Sequence, residues 1–406
     1  MKEQKESGGV LGSAFIICGS SIGGGMLALP SISSSSGFYP SLVSNIICWL
    51  FTMLTGLFLM DVCIWSKKNE VHLSSIAENY LGKIGKYAVI FLFLFLYECL
   101  LISYFSGGVP CLQNVLSSIS AAKPMQLPET ITFIGFGAFI FILVTLGTAW
   151  IDRVNFLMMI GLVLCFFGFV GLGSSNVESK LLNQSNWLGF ATPIPIMIGA
   201  YGFHNVVPSL VYYLKKDRKR IKQSIVIGTL IPLVVYSIWQ WLTLGSIPSN
   251  ILQSANESGG IPIIDALFQI THSSLLKSLA FGFTAFAIIT SLVGVSFSMV
   301  DFLGDTSGLS PHGINRIGLS LATVLPPLTV AYFYPNLFVT VFGYAAGFGE
   351  ALLNGLFPII TFWIACYKFR FAHAKAPIGG KFTLGLMVAF TFLIIALEIY
   401  EIFTPH

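Results

Sequence analysis

Apolar residues in this chain fall in long unbroken blocks, with neither the alternation of half-buried strands nor the narrow stripe of surface helices. Eleven blocks stand out, at about 9–34, 39–65, 86–118, 130–150, 153–173, 188–213, 222–247, 275–303, 313–333, 336–367 and 382–403. Each can supply the roughly 20 apolar residues that a helix needs to cross a hydrocarbon core of about 30 Å. Short polar loops lie between them, and no linker is long enough to separate soluble domains. The pattern predicts an all-α polytopic membrane protein, with residues 1–406 forming a single transmembrane domain.

Composition agrees. Only 9% of the 406 residues are charged and 55% are hydrophobic, whereas a soluble domain is about 25% charged. An ordinary soluble enzyme, a disulfide scaffold and a disordered chain are all excluded. The basic start MKEQKESGGV leads into an apolar run, as a signal peptide would, but glycines interrupt that run and ten more blocks follow. A retained first span is the expectation. The seven cysteines lie in or beside apolar blocks without a C-x-x-C, so they read as small buried hydrophobes.

Charge fixes the expected orientation. With the N-terminus inside, the inside loops hold Lys2, Lys5, Lys67, Lys68, Lys83, Lys86, Arg153, Lys215, Lys216, Arg218, Lys219, Arg220, Lys222, Arg316, Lys368, Arg370, Lys375 and Lys381. Only Lys123, Lys180 and Lys277 fall outside. Cytoplasmic loops are enriched in Lys and Arg, and one span more or fewer midway would scramble this asymmetry. The expected arrangement is eleven spans in a cytoplasmic membrane, N-terminus inside and C-terminus outside. The net charge of +4 then needs no nucleic-acid partner.

Two blocks cannot be plain helices. The first contains Gly19-Ser20-Ser21-Ile22-Gly23-Gly24-Gly25. Each glycine costs a helix interior about 1 kcal/mol relative to alanine. The sixth carries Pro193, Pro195, Gly199, Gly202 and Pro208, with His204 at membrane depth. Broken backbone is tolerated in a bilayer only where protein or a cavity satisfies it. Matched interruptions five spans apart point to an inverted-repeat secondary transporter, with 9–173 and 188–367 as five-helix repeats and 382–403 as an added helix. The competing reading is that glycine and proline are simply common at packed membrane helices.

The broken ends suggest a ligand. Free N–H groups near Gly23, Gly24 and Gly25 suit a carboxylate. Unpaired carbonyls near Ser20, Ser21 and Ile22, and near Tyr201 and Phe203, suit an ammonium. A zwitterionic amino acid satisfies both ends at once.

Other chemistry is missing from the sequence. There is no G-x-x-x-x-G-K-[ST] for ATP, no H-E-x-x-H and no Cys/His cluster, so no catalytic residues, cofactor or metal are expected. Glu98 and Glu350 fall inside spans 3 and 10, where an ionised carboxylate costs a few kcal/mol or more unless paired. Both, with His204, are candidates for carrying a coupling proton. A hydrogen-bonded structural acid, or a histidine that merely fixes the break, is the competing reading for each. Asp61 and Asp301 lie near the inside ends of spans 2 and 8 and read as gate residues. Thr290, Ser291 and Ser296 in span 8 are small polar residues suited either to an ion or to helix packing.

The stretch Gly19-Ser20-Ser21-Ile22-Gly23-Gly24-Gly25-Met26-Leu27-Ala28-Leu29-Pro30 resembles the opening span of the bacterial aromatic amino acid permeases. Gly202-Phe203-His204-Asn205-Val206-Val207-Pro208-Ser209 resembles that family's sixth-span motif. So do Ile289–Val295, Asp301–Asp305, Leu325-Pro326-Pro327, Tyr334-Pro335 and Gly343-Tyr344-Ala345. The likeness runs in order from about residue 8 to 403, and it is nearest to the tyrosine-specific branch of this amino acid/auxin permease group. It implies the leucine-transporter five-plus-five inverted repeat and import of an aromatic amino acid, tyrosine first, with a proton. Gly24, where relatives often carry alanine, and the acids Glu98 and Glu350 depart from the family pattern. An exchanger of the same fold and an amino-acid-binding membrane sensor are the alternatives.

The topology is directly testable. A cysteine at position 219 should react with membrane-impermeant maleimide only from the cytoplasmic side, and one at position 406 only from the opposite side. Labelling of both from one compartment would contradict eleven spans.

Overall fold

The computed structural model describes residues 9–66, 72–119, 128–257, 273–310, 312–369 and 376–404. Lys2, Lys5, Lys67, Lys68, Lys123, Arg370 and Lys375 of the charge argument, and His406 of the labelling test, lie outside the described residues. The described residues form helices and connecting turns, with no strand among them. Among the described residues, ten helices are long and apolar enough to cross a membrane, and one bent pair counted as a span brings the total to eleven.

That bent pair is span 1. Its halves, Val10–Ser21 (1a) and Gly25–Ser33 (1b), meet at 57°. Span 6 is likewise divided, into Ile194–Ala200 (6a) and Val207–Tyr213 (6b), joined through a short turn at His204–Val206. Between them run span 2 (Phe38–Trp65), span 3 (within Leu73–Ile119), span 4 (Glu129–Leu146) and span 5 (Thr148–Gly173). Span 7 (Arg218–Ser246), span 8 (Ser274–Ser307), span 9 (Gly313–Phe333), span 10 (Phe338–Lys368) and span 11 (Gly380–Phe403) follow.

Local sequence explains the boundaries. Asp217 caps span 7 by accepting from the N–H groups of Lys219 and Arg220 at 3.0 and 3.2 Å. Ser273 caps span 8 through the Leu276 N–H. Pro193 and Pro195 start 6a at Ile194, six residues later than the apolar block suggests, because proline suits the first helical turn. Span 3 differs the other way. Helix begins at Leu73 and breaks at Gly82, whose φ of +74° is readily adopted only by glycine, and then continues across the bilayer. Glu78, Lys83 and Lys86 make the leading turns too polar to be seen in hydropathy, although Glu78 and Lys86 pair at 2.8 Å.

Packing places the broken helices at the centre. Span 1a lies along span 7, 1b touches 6a, and 6a lies against spans 2 and 10. Span 8 packs on spans 3 and 5, and span 3 also meets span 10. Span 11 covers span 10 from outside. Span 10 itself winds as a π-helix over Ala345–Leu356, a widened geometry that recurs at functional sites. Arg218 at the start of span 7 forks onto Asp61 of span 2, at 2.6 and 2.9 Å, and ties the basic end of the bundle together.

Candidate functional site

Both breaks open onto one cavity of about 460 Å³. Ser20 and Ser21 reach it from the end of 1a, Gly25 from the start of 1b, and Gly199, Ala200 and Gly202 from the end of 6a. Asn205 and Val206 line it from the start of 6b. Span 3 adds Tyr97 and Tyr104, span 8 adds Ser291 and Ser298, and span 10 adds Glu350 and Asn354. The volume lies within the roughly 300–1,000 Å³ of small-molecule sites.

The cavity is not sealed. Leu73, Phe93, Tyr97, Asn205 and Ser298 also line a second space of about 410 Å³, which reaches His72, Ser209, Tyr212, Asp301 and Asp305. Tyr212 precedes the basic run Lys215–Lys222, so the opening faces the basic end of the bundle. Toward the other end the backbone is covered. A β-carbon on Gly24 would sit 2.6 Å from the Tyr104 ring, and one on Gly25 2.5 Å from the Phe342 ring and 3.3 Å from the Ala200 Cα. Aromatic rings rest directly on the chain at both positions, so a side chain there would have to displace a ring.

At the start of 1b, the Gly24 N–H donates to Ser291 Oγ at 3.0 Å. The N–H groups of Gly23 and Gly25 find no acceptor among the described residues. Met26 and Leu27 donate to the Gly23 and Gly24 carbonyls three residues back, so 1b opens with a tightened first turn. The end of 1a meets span 6 through Ser20, whose hydroxyl lies 3.4 Å from the Gly202 carbonyl and 3.5 Å from Asn205 Oδ1.

The sequence candidates divide into two groups. Ser20, Ser21, Gly25 and Glu350 face the cavity. Glu350 is buried; its Oε2 accepts from Asn354 Nδ2, and its Oε1 lies where a β-carbon on Gly202 would be 2.6 Å away. Gly23 and Gly24 stand just behind, beneath Ser291 and Tyr104, and Ile22 is buried beside them. The side chains of Tyr201, Phe203 and His204 turn to span 2 instead. Tyr201 donates to Asn45 Oδ1 at 2.7 Å, Phe203 covers Gly56, and His204 Nε2 meets Thr55 Oγ1 at 2.9 Å. Glu98 is half-buried and does not line the cavity. Asp301 lines the second space, whereas Asp61 is held by Arg218.

Sequence reasoning misses Tyr97, Tyr104, Asn205, Ser298 and Asn354. A helical signal is present: Phe93, Tyr97, Leu100 and Tyr104 recur at spacings of four, three and four residues and line one face of span 3. In a span apolar all round, that face carries no contrast.

Residues 6–398 match the family model described as the tryptophan/tyrosine permease family. The chain belongs to that family. Relatives of this permease family member include the "Tyrosine-specific transport system 1" of Haemophilus influenzae, 31% identical over 95% of both chains. The "Tryptophan-specific transport protein" of the same organism is 30% identical, over 98% of this chain and 97% of its own. The "Tyrosine permease" of Enterobacter agglomerans is 27% identical over 98% of each. These relatives are transport proteins, and this permease family member is a multi-pass membrane protein built like one, with a membrane-embedded cavity and no metal-binding cluster among the described residues.

The cavity's opening gives a measurable expectation. In a cysteine-free background, Ser298→Cys should react with a charged methanethiosulfonate reagent added at the side bearing Lys219. It should stay unmodified when the reagent is added at the other side. Equal reaction from both sides would contradict the covered end.

Proposed function

We propose that this protein imports an aromatic amino acid, tyrosine first, by proton symport across the bacterial cytoplasmic membrane, N-terminus inside and C-terminus outside. The observation that carries the reading is the shared cavity at two helix breaks, with free N–H groups on one side and a single buried carboxyl, Glu350, on the other. A carboxylate is attracted to the N–H end of 1b near Gly23–Gly25. The substrate ammonium lies toward the carbonyls of Ser20–Ile22 and Tyr201–Phe203. The ring lies toward span 3, where Tyr97 and Tyr104 offer both aromatic faces and hydroxyls. The relatives named for tyrosine and tryptophan transport support an aromatic side chain.

The arrangement of the breaks supports a leucine-transporter-like fold, with spans 1–5 and 6–10 as inverted copies and span 11 added. Spans 1a and 6a, first halves of the corresponding spans of the two copies, both end at the cavity.

Glu350 is the proton carrier in this reading, because it touches the cavity and Glu98 does not. His204, fixed by Thr55, positions the span 6 turn. Tyrosine uptake into proteoliposomes should rise with an inward proton gradient and collapse with a protonophore. Glu350→Gln should lower gradient-driven accumulation at least tenfold, about 1.4 kcal/mol, while counterflow, which needs no net proton movement, persists. Glu98→Gln should accumulate substrate normally. The reverse ranking would move the proton site to span 3, and a strict sodium requirement would sink proton coupling.

A further inference from the structure

A hydroxyl from span 7 joins the two breaks. Tyr236 is fully buried, and its phenol oxygen lies 2.7 Å from the Ser21 carbonyl and 2.6 Å from the Ala200 carbonyl. Ser21 is the last residue of 1a and Ala200 the last residue of 6a. Helix ends leave carbonyls unpaired, and among the described residues no backbone N–H donates to either of these two. Both are electron-rich ends at membrane depth, where a carbonyl needs a partner in the protein or the cavity.

A phenol carries one proton, so the bond is shared between two acceptors in a three-centre arrangement. The same oxygen therefore sets how far apart the two helix ends stand. The ring is held for this by Tyr201, edge-on at a centroid distance of 5.2 Å. Just beyond lies the start of 1b, where a β-carbon on Gly25 would be 3.3 Å from the Ala200 Cα. A shift of 6a against 1a thus moves the floor of the cavity against the N–H groups of 1b.

We propose that Tyr236 is a positioning residue for substrate recognition: its hydroxyl clamps the C-terminal ends of the two broken helices and fixes the gap that receives the α-amino and α-carboxyl groups of an amino acid. The role rests on the transporter reading for its substrate, but it makes a separate demand. Recognition must depend on the donor strength of a side chain that does not line the cavity.

Tyr236→Phe keeps the ring and removes only the hydroxyl. The Kd for tyrosine, and the KM for counterflow in proteoliposomes, should both rise about tenfold, while Vmax per folded molecule stays within about twofold. Fluorotyrosine at position 236 keeps the hydroxyl, strengthens it as a donor, and should return both constants to wild-type values or below. A fall in Vmax with unchanged Kd and KM would make Tyr236 a packing residue only and overturn the proposal. If Tyr236→Phe does not fold, the fluorotyrosine series decides alone: constants that ignore donor strength overturn the clamp. Wild-type protein that binds tyrosine without counterflow would sink the transporter reading, while the binding constants still judge Tyr236.

Discussion

Everything in this molecule follows from a rule of the bilayer: a backbone N–H or C=O that leaves a helix at membrane depth must find a partner within the protein or a cavity. Two segments leave their helices, and the bundle is arranged around what they expose. Ser291 takes the Gly24 N–H, Ser20 reaches toward the Gly202 carbonyl, and Tyr236 takes the carbonyls of Ser21 and Ala200. Among the described residues, nothing accepts from the N–H groups of Gly23 and Gly25 beside the cavity. Unsatisfied backbone at membrane depth is costly and is tolerated where it is buried in protein or lines a cavity.

The surrounding spans share the same logic. Glycines at 24, 25 and 202 let Tyr104, Phe342 and Glu350 lie directly against the chain, so the breaks are covered by side chains, not by lipid. The π-helical turns of span 10 carry Glu350 and Asn354 on the same face, four residues apart, and aim them into the space between the half-helices. The cavity continues toward the basic end, and the rings of Tyr104 and Phe342 lie over its glycines. The Arg218–Asp61 fork holds that basic end together without entering the cavity.

Much of this is legible in the sequence, because hydropathy and glycine clusters report the bilayer directly. Blocks of apolar residues mark the spans, and Gly23–Gly25 with Pro193, Pro195 and Gly202 mark both breaks. Side-chain direction is not legible. A broken segment has no helical period, so nothing in the sequence tells that Tyr201, Phe203 and His204 turn toward Asn45, Gly56 and Thr55 while Gly202 and Asn205 face the cavity. Nor can spacing separate Glu98 from Glu350, since both sit in spans that are apolar on every side. Tyr236 is hidden for a different reason: a lone tyrosine in an apolar span looks like packing until its two carbonyl partners, 215 and 36 residues away, are brought to it.

The central claim is that the free N–H end of span 1b holds the carboxylate of an amino acid. Competition against bound radiolabelled tyrosine tests it without any mutation. Tyramine lacks the carboxylate and tyrosine methyl ester lacks its charge; each should compete at least tenfold more weakly than tyrosine, about 1.4 kcal/mol. If tyramine displaces tyrosine as well as tyrosine itself does, the ring alone is recognised, and the glycine break is a packing feature that holds no carboxylate.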